Sequence, residues 1–154
     1  MDSLNERQVR LDELMPLIQE QLGEGKRVKF MPRGTSMLPM LRQGYDSVIL
    51  APADKGIKPG DIALYKNKHG YILHRVIRLG KESYYFCGDN QAVLEEVSPD
   101  QILAVVTAYT KRGKLCQLTA PGYRLYRTIW VRWFCLRKYY IAVRRWLGRM
   151  RRGE

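Results

Sequence analysis

Between residues 27 and 120 the chain is divided into short apolar runs by turn residues, and this cadence limits the folds open to it. Val28 and Phe30 alternate with charged neighbours, the pattern of a half-exposed strand. Ser47-Val48-Ile49-Leu50-Ala51, Ile62-Ala63-Leu64-Tyr65 and residues 71–77, 83–87, 102–109 and 115–118 follow as further runs, bounded by Pro59-Gly60-Asp61, Asn67-Lys68-His69-Gly70, Ser98-Pro99-Asp100 and Lys111-Arg112-Gly113. Runs of this length are too short for helices of ordinary size, and the Gly, Pro and Asn positions between them are where a chain reverses. The spacing predicts a mainly β body over residues 27–120, built around one small core. There is no internal repeat and no low-complexity segment.

The flanks have a different period. In residues 1–26, Leu4, Leu11, Leu14, Ile18 and Leu22 recur at steps of seven, three, four and four residues, which predicts an N-terminal amphipathic helix over 3–22. Ser3 and Glu6 have the spacing of a capping box, Pro16 is expected to kink or split the helix, and Gly23-Glu24-Gly25 ends it. Beyond Pro121-Gly122, residues 121–154 form a basic aromatic tail in which Tyr126, Ile129, Trp130, Trp133, Leu136, Tyr140, Val143 and Leu147 fall at helical spacing. Residues 123–154 hold ten Lys or Arg against the single acid Glu154, so +9 of the net charge of +12 lies in the tail and the body is close to neutral.

A basic helix bearing all three tryptophans has the composition of one lying in an anionic membrane interface. On that reading Trp130, Trp133 and Trp146 enter the interface and Arg137, Lys138, Arg144 and Arg145 meet headgroups. Docking of the helix on the β body or on a partner is the competing expectation, and nucleic acid is the least favoured partner. The first residues are charged with no apolar h-region and no run of about 18 apolar residues occurs, so neither a cleavable signal peptide nor a conventional span is expected, and peripheral attachment on the cytoplasmic side is. A hydrophobic fraction of 45% and a charged fraction of 27% exclude a disordered chain. Cys87, Cys116 and Cys135 are odd in number and far apart, which indicates neither a zinc site nor a disulfide framework, and no metal or cofactor is expected.

Chemistry is concentrated in three places. Arg33-Gly34-Thr35-Ser36-Met37-Leu38-Pro39-Met40 is a constrained bend, with Gly34 free of Cβ restrictions and Pro39 biasing Leu38 toward extended backbone. A serine hydroxyl on such a bend can be aimed, but it is a weak nucleophile without a base. His74 lies in an apolar run and titrates near neutrality when unperturbed, as a general base should. Asp89, in Gly88-Asp89-Asn90, supplies a carboxylate after another apolar run, and such a group can hold an imidazole in one tautomer.

Four motifs in order, Gly34-Thr35-Ser36-Met37-Leu38-Pro39, Gly60-Asp61-Ile62, His74-Arg75-Val76 and Gly88-Asp89-Asn90, resemble the type I signal peptidase and LexA-like superfamily over roughly residues 28–112. The closest branch is the archaeal and endoplasmic-reticulum one, which has histidine where the ordinary bacterial enzymes have lysine. The resemblance implies a β-rich catalytic core with the serine on a loop beside an extended peptide groove. It implies a serine endopeptidase acting on a leader or signal-type peptide, with Ser36 as nucleophile, His74 as base and Asp89 as the orienting acid. Because that branch has a second carboxylate after Gly-Asp-Asn, Glu95 is the alternative acid. The backbone N–H groups of Thr35 and Ser36 would meet the oxyanion, and Met37, Leu38 and Pro39 would contact substrate.

Overall fold

The structure, a computed structural model, describes residues 11–151. The expected Ser3 cap and Glu6 partner lie outside those residues. Helix α1 spans Leu11–Gly23. It is followed by strands β1 (Val28–Phe30), β2 (Ser47–Ala51), β3 (Ile62–Asn67), β4 (Gly70–Leu79), β5 (Tyr84–Cys87) and β6 (Glu95–Val97). A single 3-10 turn at Pro99–Gln101 leads into β7 (Ile102–Lys111) and β8 (Lys114–Gln117), and the chain closes with helices α2 (Pro121–Arg132) and α3 (Phe134–Met150). The result is a mixed α/β, β-rich fold in which eight strands form one antiparallel sheet of order β1-β2-β7-β3-β4-β5-β6, with β8 also paired to β7.

β7 is the hub, because it pairs with β2, β3 and β8. Its side chains alternate, so that Ala104, Val106, Ala108 and Thr110 are buried and the intervening residues are partly exposed, as a period of two requires. β3 is instead buried along both faces. Ile62 and Leu64 enter a core with Met15, Ile18 and Leu22 of α1, Leu50 of β2 and Tyr123 of α2. Ala63 and Tyr65 enter a second core with Val76, Phe86 and Val97. The sheet therefore has two apolar faces. The three segments separated by composition share the first core, and each fully buried aliphatic side chain there is worth about 1.5–3 kcal/mol.

One local expectation is narrowed and another is corrected. α1 runs unbroken through Pro16, which costs the helix one N–H donor without splitting it. The tail is two helices rather than one, because Trp133 leaves helical geometry (φ −105°, ψ 34°) and separates α2 from α3. Among the described residues no helix is long and apolar enough to cross a membrane.

The face by which α3 docks is also not the aromatic one. Its buried residues are Arg137 and Ile141, with Arg144 and Gly148 half-buried, a stripe at helical spacing. Arg137 donates to the Gly88 carbonyl (3.0 Å) and to the Trp130 carbonyl (2.6 Å), while Arg144 donates to Asn90 Oδ1 (2.8 Å). Trp130, in α2, donates its indole N–H to the Asp89 carbonyl (2.9 Å). Arg137, Arg144 and Trp130, expected to face a membrane, are therefore turned onto the β body. A loop that presents open carbonyls is covered by donors, and arginine supplies five. Trp133, Leu136, Tyr139, Tyr140, Val143, Trp146 and Leu147 remain on the exposed side.

Candidate active site

Met37, Met40 and Leu41 are buried in the first core and anchor the serine loop from below, while Ser36 itself is half-buried. Gly34 sits at φ +85°, a region that disfavours any residue with a Cβ, and its N–H donates to Gln43 Oε1 (2.7 Å). The Leu38–Pro39 peptide bond is cis. Lys111 donates to the Met40 carbonyl (2.6 Å), and the Leu41 N–H to the Met37 carbonyl (3.0 Å). On the other side the loop is strapped to Gly88-Asp89-Asn90: the Asn90 N–H donates to the Ser36 carbonyl (2.7 Å) and its side-chain amide to the Thr35 carbonyl (3.1 Å). Among the described residues the N–H groups of Thr35 and Ser36 donate to no protein acceptor.

Alternation along β4 decides where the His-Arg pair goes. His74 faces the second core, opposite Ala63 and diagonal to Tyr65, and Arg75 faces the first. The His74 Nδ1 lies 3.2 Å from the Tyr65 hydroxyl, and that hydroxyl donates to Glu95 Oε2 at 2.6 Å. The Asn67 amide donates to the other Glu95 oxygen. A phenol has one proton, so a hydroxyl that donates to Glu95 accepts from His74, and Nδ1 carries the imidazole hydrogen. Nε2 is then left with its lone pair. It lies 3.0 Å from the point that a Cβ on Gly88 would occupy, and the Ser36 carbonyl lies 2.6 Å from the same point. Burial lowers the pKa of His74 from 6.5 to about 4, against the opposing pull of Glu95 and Asp89, so the ring is neutral at pH 7. Burial, reinforced by Glu95, pushes the Tyr65 phenol up and keeps it protonated.

Asp89 does not orient this ring. Its carboxylate takes a two-pronged guanidinium contact from Arg75 (Nε to Oδ1 2.8 Å, Nη2 to Oδ2 2.7 Å) and a third hydrogen bond from the Tyr126 hydroxyl (2.9 Å). Arg75 also donates to the Gly60 carbonyl (2.9 Å) and to the Tyr123 hydroxyl (3.0 Å). Three of the four motifs thus meet at a buried ion pair that fixes the Gly88–Asn90 loop, and through Asn90 the serine loop. The acid connected to His74 is Glu95, by way of Tyr65. Tyr65, Asn67 and Arg75 had no place in the sequence expectation, although Arg75 adjoins His74 in its motif.

Ser36 and His74 line one cleft of about 960 Å³, walled by Leu14, Leu17 and Ile18 of α1, by β1, and by Tyr71 and Leu73 of β4. Met37 lines it too, whereas Leu38 and Pro39, expected to contact substrate, do not. Among the described residues the Ser36 hydroxyl makes no hydrogen bond, to His74 or to any other group. Lys138 and Arg145 line a second cleft beside His74, and Trp133 and Trp146 are half or more exposed. No cluster of three metal-ligating side chains occurs among the described residues. Comparison of the chain with protein-family models, with curated proteins and with solved structures finds no match in any of the three.

Proposed function

We propose that the protein is a serine endopeptidase of the signal peptidase type, acting on a leader-type peptide at a membrane surface. The observation that carries this reading is the hydrogen-bond chain from Glu95 through Tyr65 to His74, with the free Nε2 turned toward the serine loop in a cleft that Ser36 also lines. In the first step the Ser36 proton passes to His74 Nε2 as the oxygen attacks the peptide carbonyl carbon. The oxyanion is met by the N–H groups of Thr35 and Ser36, and one such donor is worth about a hundred- to a thousandfold in rate. The C–N bond then breaks, and Nε2–H gives its proton to the leaving amine. Water, deprotonated by the same nitrogen, hydrolyses the acyl-serine. Glu95 and Tyr65 hold the ring, and the Arg75–Asp89 pair holds the loop.

The cleft suits an extended peptide. Among the described residues β1 pairs with β2 alone, and its other edge is where a substrate strand would add. Leu14, Leu17, Phe30 and Tyr71 offer apolar contacts along it. Membrane attachment is supported by the exposed apolar side of α3, flanked by Arg132, Arg149 and Arg151. The test is cleavage of a candidate leader peptide by the full chain. Ser36→Ala is expected to abolish it, and undiminished cleavage by that variant would sink the proposal.

One observation favours a second reading, a peptide-binding module without turnover: the Ser36 hydroxyl is not hydrogen-bonded to His74. Catalytic hydrogen bonds in unliganded sites are often loose and tighten on the substrate, which keeps the peptidase reading first. A binding module would hold peptides equally well before and after the Ser36→Ala exchange, and would release no product.

A further inference from the structure

His74 lies between two clefts. One is the groove it shares with Ser36. The other, about 770 Å³, is lined by Asn67, His69, Glu95, Lys138, Ile141 and Arg145 among others, and Ser36 is not part of it. Ile72, His74 and Gln91 line both, so the two clefts meet at the imidazole.

The chemistry of acyl transfer assigns the two sides. The carbonyl half of the substrate becomes bonded to Ser36, so it occupies the cleft that Ser36 lines. The amine half takes a proton from His74 and departs, so it occupies the cleft that His74 lines without Ser36. The charged groups facing this second cleft are Lys138 and Arg145 of α3 and Glu95, and His69 lines it as well. Both Glu95 oxygens are already hydrogen-bonded, to Tyr65 and Asn67. Among the described residues Lys138 and Arg145 have no carboxylate partner. Both are exposed, on a helix that is tied to the Gly88–Asn90 loop by their neighbours in sequence, since Arg137 is bonded to the Gly88 carbonyl and Arg144 to Asn90; the Lys138 ammonium lies 5.1 Å from the centre of the Tyr139 ring.

We propose that this second cleft receives the leaving segment of the substrate, and that Lys138 and Arg145 select acidic side chains just after the cleaved bond. The assignment rests on the peptidase reading above.

The test uses the full chain and a peptide library prepared from a denatured proteome, with cut sites read by mass spectrometry in parallel with Ser36→Ala. Acidic residues are expected to be enriched about three- to tenfold in the first few positions after Ser36-dependent cuts, the size that one or two exposed charge contacts give. The enrichment is expected to shrink at high salt. A Lys138→Glu/Arg145→Glu variant, checked by thermal unfolding, is expected to lose it while keeping its preference before the cut. Ser36-dependent cuts without acidic enrichment, or with enrichment that survives the double exchange, overturn this assignment and leave the peptidase reading standing. No Ser36-dependent cut at all overturns both.

Discussion

Arg75 and Asp89 are joined by two parallel hydrogen bonds of 2.8 and 2.7 Å, with both side chains completely buried. Removing one partner of such a pair leaves an uncompensated charge away from water, at a cost of about 3–5 kcal/mol. Asp89→Asn is therefore expected to lower the urea midpoint by an amount corresponding to that loss. Arg75→Met combined with Asp89→Leu is expected to be milder than either single exchange, because both charges go together. An Asp89→Asn protein of unchanged stability would contradict the role given to this pair.

The chain from Glu95 through Tyr65 to His74 carries a different expectation. Tyr65→Phe removes one hydroxyl, and its cost in stability is expected to be about 1 kcal/mol. Its larger effect is on the ring, since Nδ1 loses its acceptor. Imidazole nitrogen shifts are expected to move from the Nδ1–H form toward a mixture of tautomers, and kcat to fall with KM nearly unchanged. Glu95→Gln is expected to act in the same direction. A normal kcat in both variants would remove Glu95 and Tyr65 from the mechanism.

The pH dependence follows from the lowered pKa of His74. The folded ring takes a proton only near pH 4, whereas the unfolded ring takes one near 6.5, so acidification favours the unfolded chain. Its contribution is intact above about pH 6.5 and is lost as the pH falls toward 4, by about 3 kcal/mol in all. The difference in unfolding free energy between the native protein and His74→Gln, measured from pH 7 to 4, is expected to change by that amount. The acid limb of kcat/KM is expected near pH 4 rather than 6.5.

Gly88 tests the convergence of the two loops on the ring. A Cβ there would come 2.6 Å from the Ser36 carbonyl and 3.0 Å from His74 Nε2. Gly88→Ala must shift the serine loop, the imidazole or both, and overpacking of this kind costs about 1–3 kcal/mol. Loss of activity beyond what the stability change explains is expected; full activity would show that the loops have more room than these distances allow.

Much of this architecture can be read from residue order, and the failures have physical causes. The run Ser47–Ala51 is β2 end to end, and the turns at Pro59-Gly60 and Lys111-Arg112-Gly113 fall where β3 begins and β7 ends. β6 escaped notice because three residues, two of them glutamates, give no alternation to read. Glu95 therefore enters the expectation only as the alternative acid that the resemblance implies. Only the register of β4, β5 and β6, with Val76 opposite Phe86 and Phe86 opposite Glu95, brings its carboxylate to the face that His74 shares. Asp89 resembled the orienting acid because it lies in a motif, but motif membership does not reveal which neighbour a carboxylate meets. The docking face of α3 was concealed for a related reason. Periodicity marks apolar residues as inward, whereas the surface covered here offers carbonyls and calls for Arg137 and Arg144.

Activation of Ser36 by His74 is tested most directly by treating the full chain with a fluorophosphonate and measuring its intact mass. One adduct is expected, located at Ser36 by peptide mapping, absent from Ser36→Ala and strongly slowed in His74→Ala. A protein that remains unmodified while a known serine hydrolase in the same tube is labelled, or one labelled to the same extent in the Ser36→Ala variant, would contradict it.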